Sequence, residues 1–405
     1  MATIQKRRGS YYIVVSLGYD SSGQQVRKTM TWKPPEGMTE RQREKEAKRQ
    51  AVLFEDKIKT NQSFNQRIKL YEFFPIYFSD YGKANLKEKT YFEYQRYAKR
   101  CEEHLGHLRL AQIKPKHIID YCNYLSTPEA RQQPGGRTKD GKTKRQDKPN
   151  EGLSPKTIKL HFSFISSVLA KAVKWGYINT NPCDRVDAPK VTAKIIECMD
   201  ESDIHRYFKA IDSADIQTQL LFHLDLLTGM RRGELLALTW DDVDFKHSTI
   251  SIKSSMSYVP RKGQFITTTK TERWRINKLP DNVMQMLKLH RAEQLEKIAK
   301  LGDYWQHPEM VFTNKYGRYM DLNTPYKTLK KILRENNLPD CTVHSFRHAT
   351  ASLLIAHGAD IKTIADYIGH SSPTTTLQIY AYQIASAKAA AEKALADVLE
   401  QTNIK

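Results

Sequence analysis

Cysteine is scarce. There are five in 405 residues (Cys101, Cys122, Cys183, Cys198 and Cys341), and none forms a CxxC pair. An odd, scattered set is neither a disulfide framework nor a zinc site; it fits reduced thiols in a cytoplasmic protein. Long apolar runs are also missing, and no stretch approaches the ~20 consecutive apolar residues that a bilayer span requires. The opening Met-Ala-Thr-Ile-Gln-Lys-Arg-Arg has no apolar segment behind it, so a secretory signal is not expected. Acidic residues fall short: 45 Asp and Glu face 65 Lys and Arg, leaving a net charge of +20. What is present suffices for folded cores, with 40% hydrophobic and 10% aromatic residues. The length suggests two or three domains that need no disulfides or structural metal.

The basic surplus is uneven. Residues 1–66 carry +6 and residues 67–195 carry +12, so the first half holds 18 of the 20 surplus charges. Such asymmetry suggests a polyanion held mainly by N-terminal modules; the alternative is a solvated surface tuned for solubility. A membrane surface suits it less well, because no strongly basic amphipathic helix with a Trp/Phe/Leu face stands out.

Three modules follow one another. In residues 1–66, strand-like runs at Ser10–Leu17 and Gln25–Trp32 flank a Gly/Asp/Ser turn, and Thr39 is placed to cap a charged helix. Two or three strands and one helix, rimmed by Lys6, Arg7, Arg8, Arg27, Lys28 and Lys33, make a domain able to lay its sheet in a DNA groove, or else a packing module. Residues 67–190 read as mostly helical. Ile68, Tyr71, Phe74 and Phe78 recur at helical spacing and are expected in the core. Ser154-Pro155 opens an amphipathic helix. Between these helices, Thr127–Gly152 is rich in Pro, Gly, Lys and Arg and reads as a loop. After a linker near Asp187–Lys194, residues 191–405 are expected to hold helices at Asp200–Leu227 and Leu279–Ile298, strands within Val243–Ile276, and helices from Leu322 onward. An Ala-rich tail follows, with high helix propensity from Ile384 to Leu399.

Four short segments of the third module concentrate groups suited to phosphoryl chemistry. They are Thr228-Gly-Met-Arg231-Arg232-Gly-Glu234-Leu-Leu; Thr269-Lys270-Thr271; His344-Ser-Phe-Arg347-His348; and Gly369-His370-Ser-Ser with Tyr380 beyond it. Singly each is weak, since an Arg on a helix is usually a surface or ion-pair residue. Together and in order they resemble the tyrosine recombinases (the phage integrase family), whose motifs run as an Arg in TGxRxxEL, a Lys on a β-hairpin, HxxRH, GHSS and a Tyr. The resemblance covers about residues 200–385.

The resemblance implies a role for each group. Arg231 and Arg347 would fork onto the non-bridging oxygens of a DNA phosphodiester, where a guanidinium keeps its charge at any working pH. Tyr380 would be the nucleophile, with His344 assisting its proton transfer and His370 donating to a non-bridging oxygen. Lys270 would protonate the departing 5′-oxygen. Glu234 would orient these side chains, and His348 would support them structurally. Fixed cations would do the neutralising, so no metal and no other cofactor is expected. Tyr382 is the alternative nucleophile, but it occupies the place where the family usually has His.

The same resemblance implies a multidomain α+β fold: an arm-type DNA-binding domain (1–66) of three strands and a helix, a helical core-binding domain (67–190), and a mainly α catalytic domain (191–405) with a small antiparallel sheet. The expected partner is double-stranded DNA at attachment sites, held by a homotetramer on two sites. Accessory bending or directionality proteins are possible additions, and the setting would be cytoplasmic. A type IB-like topoisomerase and a non-catalytic DNA-binding regulator on the same fold are the alternatives. A metal-dependent nuclease fits less well, because no carboxylate cluster accompanies His344 and His348.

Overall fold

The computed structural model describes residues 2–19, 24–60, 68–131, 151–192, 199–260, 262–269, 274–381, 383–384, 392 and 396–397. By internal contacts the chain divides into two units, residues 1–192 and 193–405.

The first unit opens with three antiparallel strands, β1 (Ala2–Arg7), β2 (Ser10–Tyr19) and β3 (Gln25–Trp32), in that spatial order. Alternation on β2 turns Tyr11, Ile13 and Val15 inward, towards Ala47 and Ala51 of α1 (Glu40–Thr60). Thr39 sits at the start of α1 as expected, its N–H and hydroxyl both donating to Gln42 Oε1 (3.0 and 3.1 Å). The helical part follows: α2 (Leu70–Tyr77), a π-turn at Phe78–Gly82, the single turn α3 (Lys83–Asn85), α4 (Glu88–Leu105), α5 (Pro115–Leu125) and α6 (Pro155–Lys174). Ser154 caps α6, its Oγ accepting the Thr157 N–H at 3.3 Å. Leu70, Phe73, Phe74, Tyr77, Phe164, Ile165 and Leu169 make the core. Tyr71 corrects the expected aromatic stripe. It is 42% exposed, with its hydroxyl donating to Glu72. The helix begins only at Leu70, so Ile68 lies outside it and the buried face follows Leu70, Phe73, Phe74 and Tyr77 instead. Most of the expected basic loop, residues 132–150, lies outside the described residues.

The second unit contains α7 (Glu201–Ile211), α8 (Ile216–Thr228), the short α9 (Arg232–Leu236), strands β4 (Val243–Asp244), β5 (Thr249–Ile252), β6 (Ser254–Val259), β7 (Gly263–Thr268) and β8 (Arg275–Lys278), then α10 (Asp281–Leu301), α11 (Thr324–Glu335), α12 (Val343–Ala356) and α13 (Ile361–Ile368). A further helical stretch covers residues 373–381. β4, β5 and β8 form one small sheet, and β6 with β7 forms a hairpin. The single helix expected over Asp200–Leu227 is two. Asp215 interrupts it by taking the Thr218 N–H as an N-cap (3.1 Å), while Gln219 Nε2 satisfies the carbonyls of Asp212 and Ala214. α8 runs through the core, with Leu220, Leu221, Phe222 and Leu224 buried against Phe346 and its neighbours. Its C-terminus delivers the site. Among the described residues no helix is long and apolar enough to cross a membrane, and most of the Ala-rich tail lies outside them.

Candidate active site

The site grows from the end of α8. Gly229 ends the helix in the left-handed conformation (φ +56°), its N–H bonded to Asp225 O at 2.9 Å. A Cβ there would stand 2.9 Å from Ile368 Cγ2, so glycine is needed both for the turn and for the close approach of α13. The carbonyls left open by the helix end are met from other elements. Thr350 Oγ1 donates to Leu226 O (2.5 Å), Tyr367 Oη to Leu227 O (2.6 Å), and Arg347 Nη1 to Gly229 O.

Arg231 then precedes α9. Its backbone N–H donates to Glu234 Oε2 (3.1 Å), its Nη1 to Glu234 Oε1 (2.7 Å), and its Nη2 to the Gly369 carbonyl (2.8 Å). Glu234 is buried, and its Oε2 also accepts Arg275 Nη2 at 2.9 Å. Burial by itself would raise this carboxyl, but Arg275 and Arg231 beside it hold it below the usual range. One carboxylate therefore fixes two guanidiniums.

Arg347, on α12, is the third and is only 2% exposed. Its Nη1 also reaches Ile368 O (2.5 Å), and its Nη2 is buried with no acceptor. Burial, then the neighbouring charge of Arg231, brings its pKa down to about 10, so it remains a cation at neutral pH. Three guanidiniums stand against the Glu234 carboxylate and the buried Asp225 carboxyl near Arg347, which desolvation raises well above its usual range, so a local positive surplus remains.

The histidines are arranged around this surplus. His344 and His348 lie one helical turn apart on α12, their rings edge to face at 4.7 Å. His348 Nδ1 is 2.8 Å from the hydroxyl of Tyr380. Tyr380 is fully buried, packed with Ala351, Ile355, Ile364 and Ile368. His370 follows the αL residue Gly369, with Nδ1 2.8 Å from Thr376 Oγ1. Desolvation, then His348, Arg347 and Arg231, pushes His344 down to about 4, but the residue is exposed, so solvent screens much of this shift. Desolvation, then Arg347 and Arg231, brings His370 down to about 4. Both rings are neutral at pH 7.

The structure thus brings together Arg231, Glu234, His344, Arg347, His348, His370 and Tyr380 from segments more than a hundred residues apart. Lys270 and Tyr382 lie outside the described residues. The ring set against Tyr380 is His348, whereas the sequence pointed to His344. Arg275, Thr350 and Tyr367 had no role assigned from the sequence, yet they brace this framework. No group of three or more His, Cys, Asp or Glu able to hold a metal ion occurs among the described residues.

The six N-terminal cations are all exposed but do not share one face. Lys6 pairs in register with Tyr11, and Lys28 with Val15, which puts both on the side of α1, where Lys6 meets Glu40. Arg7 lies over the Tyr12 ring (4.0 Å) and Arg27 is opposite Ser16, so both belong to the open face. Arg8 and Lys33 sit beyond the strand ends.

Residues 197–386 match the phage integrase family, and residues 69–188 match the phage integrase SAM-like domain. The chain belongs to the phage integrase family, that is, the tyrosine recombinases. It is 28% identical to a tyrosine recombinase XerC-like protein of Caldanaerobacter subterraneus subsp. tengcongensis, over 96% of each chain. It is 24% identical to the ICEBs1 integrase of Bacillus subtilis (strain 168), over 94% of this chain and 95% of that one. Among solved structures it shares its fold with the Tn1549 transposon integrase in complex with transposon right end DNA. There the TM-score is 0.62 at 18% identity, covering 81% of this chain and all of that one.

Proposed function

We propose that this protein is a site-specific DNA recombinase of a mobile element, working in the cytoplasm, that cuts and rejoins duplex DNA through a tyrosyl intermediate. The observation that carries this reading is the convergence of Arg231, Arg347 and Glu234 at the C-terminus of α8, with Tyr380 hydrogen-bonded to His348 beside them. Arg347 Nη2, a buried donor without an acceptor, is the group ready for a non-bridging phosphate oxygen. Arg231 would supply the second fork by exchanging its Gly369 carbonyl for phosphate.

In the reaction, Tyr380 Oη attacks phosphorus as its proton passes to a neutral imidazole, His348 or His344. The P–O5′ bond breaks, leaving a 3′-phosphotyrosyl link and a 5′-oxygen that Lys270 protonates. His370 donates to the phosphate. A 5′-hydroxyl of the partner duplex then attacks the phosphotyrosyl, releases Tyr380 and gives a Holliday junction, which a second round resolves. The link conserves the bond energy, so no nucleotide or metal takes part. Two DNA sites would be held by four protomers. Residues 1–66 would bind arm-type sites through the open face of the β1–β3 sheet, residues 67–190 would clamp the core site, and residues 191–405 would do the chemistry. The names of the two relatives matched along nearly their whole length, a tyrosine recombinase and an integrase, favour recombination over topoisomerase action.

The test is covalent trapping. DNA spanning the ends of the encoding element is nicked near candidate crossovers and incubated in EDTA with wild type, Tyr380→Phe and Tyr382→Phe. An SDS-resistant adduct that only Tyr380→Phe abolishes is expected. Loss with Tyr382→Phe alone moves the nucleophile. Tight binding with no adduct on any nicked site sinks the enzyme reading and leaves a DNA-binding regulator.

A further inference from the structure

His370 is fixed at three points, and the third lies on the helical stretch that carries Tyr380. Its backbone N–H donates to Ala365 O at 2.8 Å. The residue before it, Gly369, is in the left-handed conformation (φ +72°), with its carbonyl taken by Arg231 Nη2. The third point is the ring itself, whose Nδ1 is 2.8 Å from Thr376 Oγ1. The other ring nitrogen, Nε2, has no protein partner among the described residues.

The burial of Thr376 runs against hydrophobicity. The stretch 373–381 buries Thr376 (0% exposed) and, one turn further on, Tyr380, while Leu377 between them is 46% exposed. An amphipathic pattern would turn the leucine inward and the threonine out. A buried hydroxyl needs a hydrogen-bond partner, and a helical threonine ordinarily finds one in the carbonyl four residues back. Here it meets the imidazole of His370.

A neutral imidazole has one N–H and one bare nitrogen, and a hydroxyl can rotate to serve either. Burial, then Arg347 and Arg231, keeps His370 neutral at pH 7. Two tautomers are then open. With Nδ1–H donating to Thr376, Nε2 presents a lone pair, which repels an anion. With the Thr376 hydroxyl donating to Nδ1, Nε2 carries the proton and presents a donor. The hydrogen bond made by one ring nitrogen decides what the other can do.

We propose that Thr376 is a positioning residue: its hydroxyl donates to Nδ1 of His370, holds the ring in the Nε2-protonated tautomer, and so aims an N–H at a non-bridging phosphate oxygen. Thr376 and Tyr380 share one face of one helical stretch, so the same bond ties this phosphate donor to the tyrosine. The purpose assigned to the tautomer rests on the recombinase reading; the tautomer itself does not.

The experiment has two arms. Heteronuclear NMR of the full-length, DNA-free protein with isotope-labelled histidine reads the tautomer at pH 7, and the His370→Gln spectrum assigns the resonances. Wild type should show His370 protonated on Nε2, and Thr376→Val, which keeps the shape and loses the hydroxyl, should give a mixture of tautomers. On nicked DNA, Thr376→Val should form the covalent adduct about tenfold more slowly, the value of one hydrogen bond, and Thr376→Ser should recover most of that loss. In a His370→Gln background Thr376→Val should cost nothing further. A wild-type His370 protonated on Nδ1 overturns the proposal, whether or not Thr376→Val folds. An undiminished loss from Thr376→Val in the His370→Gln background also overturns it and makes Thr376 a packing residue. No adduct from wild type, with the Nε2–H tautomer present and lost in Thr376→Val, removes the recombinase reading and leaves the Thr376–His370 assignment standing.

Discussion

Glu234 is the residue on which the guanidinium framework hangs. It is buried and accepts from two arginine side chains and from the backbone. Removing one partner of a buried charged pair strands the others, at a cost of about 3–5 kcal/mol. Glu234→Gln is therefore expected to lower urea-unfolding stability by about that amount and to cut strand-cleavage rates at least about tenfold while duplex binding persists, measured by CD melts and adduct formation. Because Glu234 has its carboxyl held down in the folded state, the stability it supplies is complete above the ordinary carboxylate range and is lost as pH falls through the lowered value. The histidines act in the same direction but at higher pH. His370 is pushed down to about 4 and the solvent-screened His344 less far, so between pH 6.5 and 4 the unfolded chain binds protons that the folded chain refuses, and stability falls with pH. The urea midpoint of the DNA-free protein should drop between pH 7 and pH 5, and His370→Gln should flatten that slope. An unchanged midpoint would mean that these rings are not shielded from solvent. The motif residues were legible because each carries a distinctive chemical group at a distinctive interval. The inward turn of Arg275 was not. β8 turns the half-buried Arg275 and the buried Asn277 inward and exposes Ile276, the reverse of the usual hydrophobic alternation, and the Glu234 carboxylate receives the inward Arg275.

At the scale of elements, turn and cap chemistry was readable wherever it is local. Thr39 and Ser154-Pro155 start their helices as the sequence indicates, because a cap involves only neighbours along the chain. The break at residues 212–215 was hidden because the apolar residues on both sides fit one long helix. The N-terminal sheet shows what pairing adds to composition. Six cations looked like one basic rim, but register sends Lys6 and Lys28 to the α1 side and keeps Arg7 and Arg27 on the open face. If the open face meets DNA, Arg7→Gln/Arg27→Gln should weaken binding to an arm-type duplex and reduce the salt slope by about 2, one phosphate per arginine. Lys6→Gln/Lys28→Gln should change it much less. Equal effects from both pairs, in fluorescence anisotropy across a salt series, would place the α1 side against the duplex as well.

For the whole molecule, the charge ledger and the order of modules were available from the chain alone. The surplus of +18 in residues 1–195 is a matter of counting. The sheet-and-helix start, the helical middle and the mixed C-terminal part follow from periodicities of two and 3.6 and from the spacing of breakers. Membership of the phage integrase family was legible for the same reason: an Arg, a Lys, an HxxRH and a Tyr in fixed order are a linear pattern.

Where those groups stand in three dimensions was decided by contacts between segments far apart in sequence. Arg347 is held by carbonyls 118 and 21 residues away, Arg231 by one 138 residues away, and Tyr380 by a ring 32 residues away. Those partners are backbone carbonyls and buried surfaces, which every residue possesses and no motif marks. The sequence by itself determined which groups are present and in what order. The tertiary structure alone decided that Gly229, Ile368 and Gly369 lend their carbonyls to the arginines, and that His348 rather than His344 holds Tyr380. Backbone satisfaction and close packing are properties of the assembled core, and they come into being only when it closes.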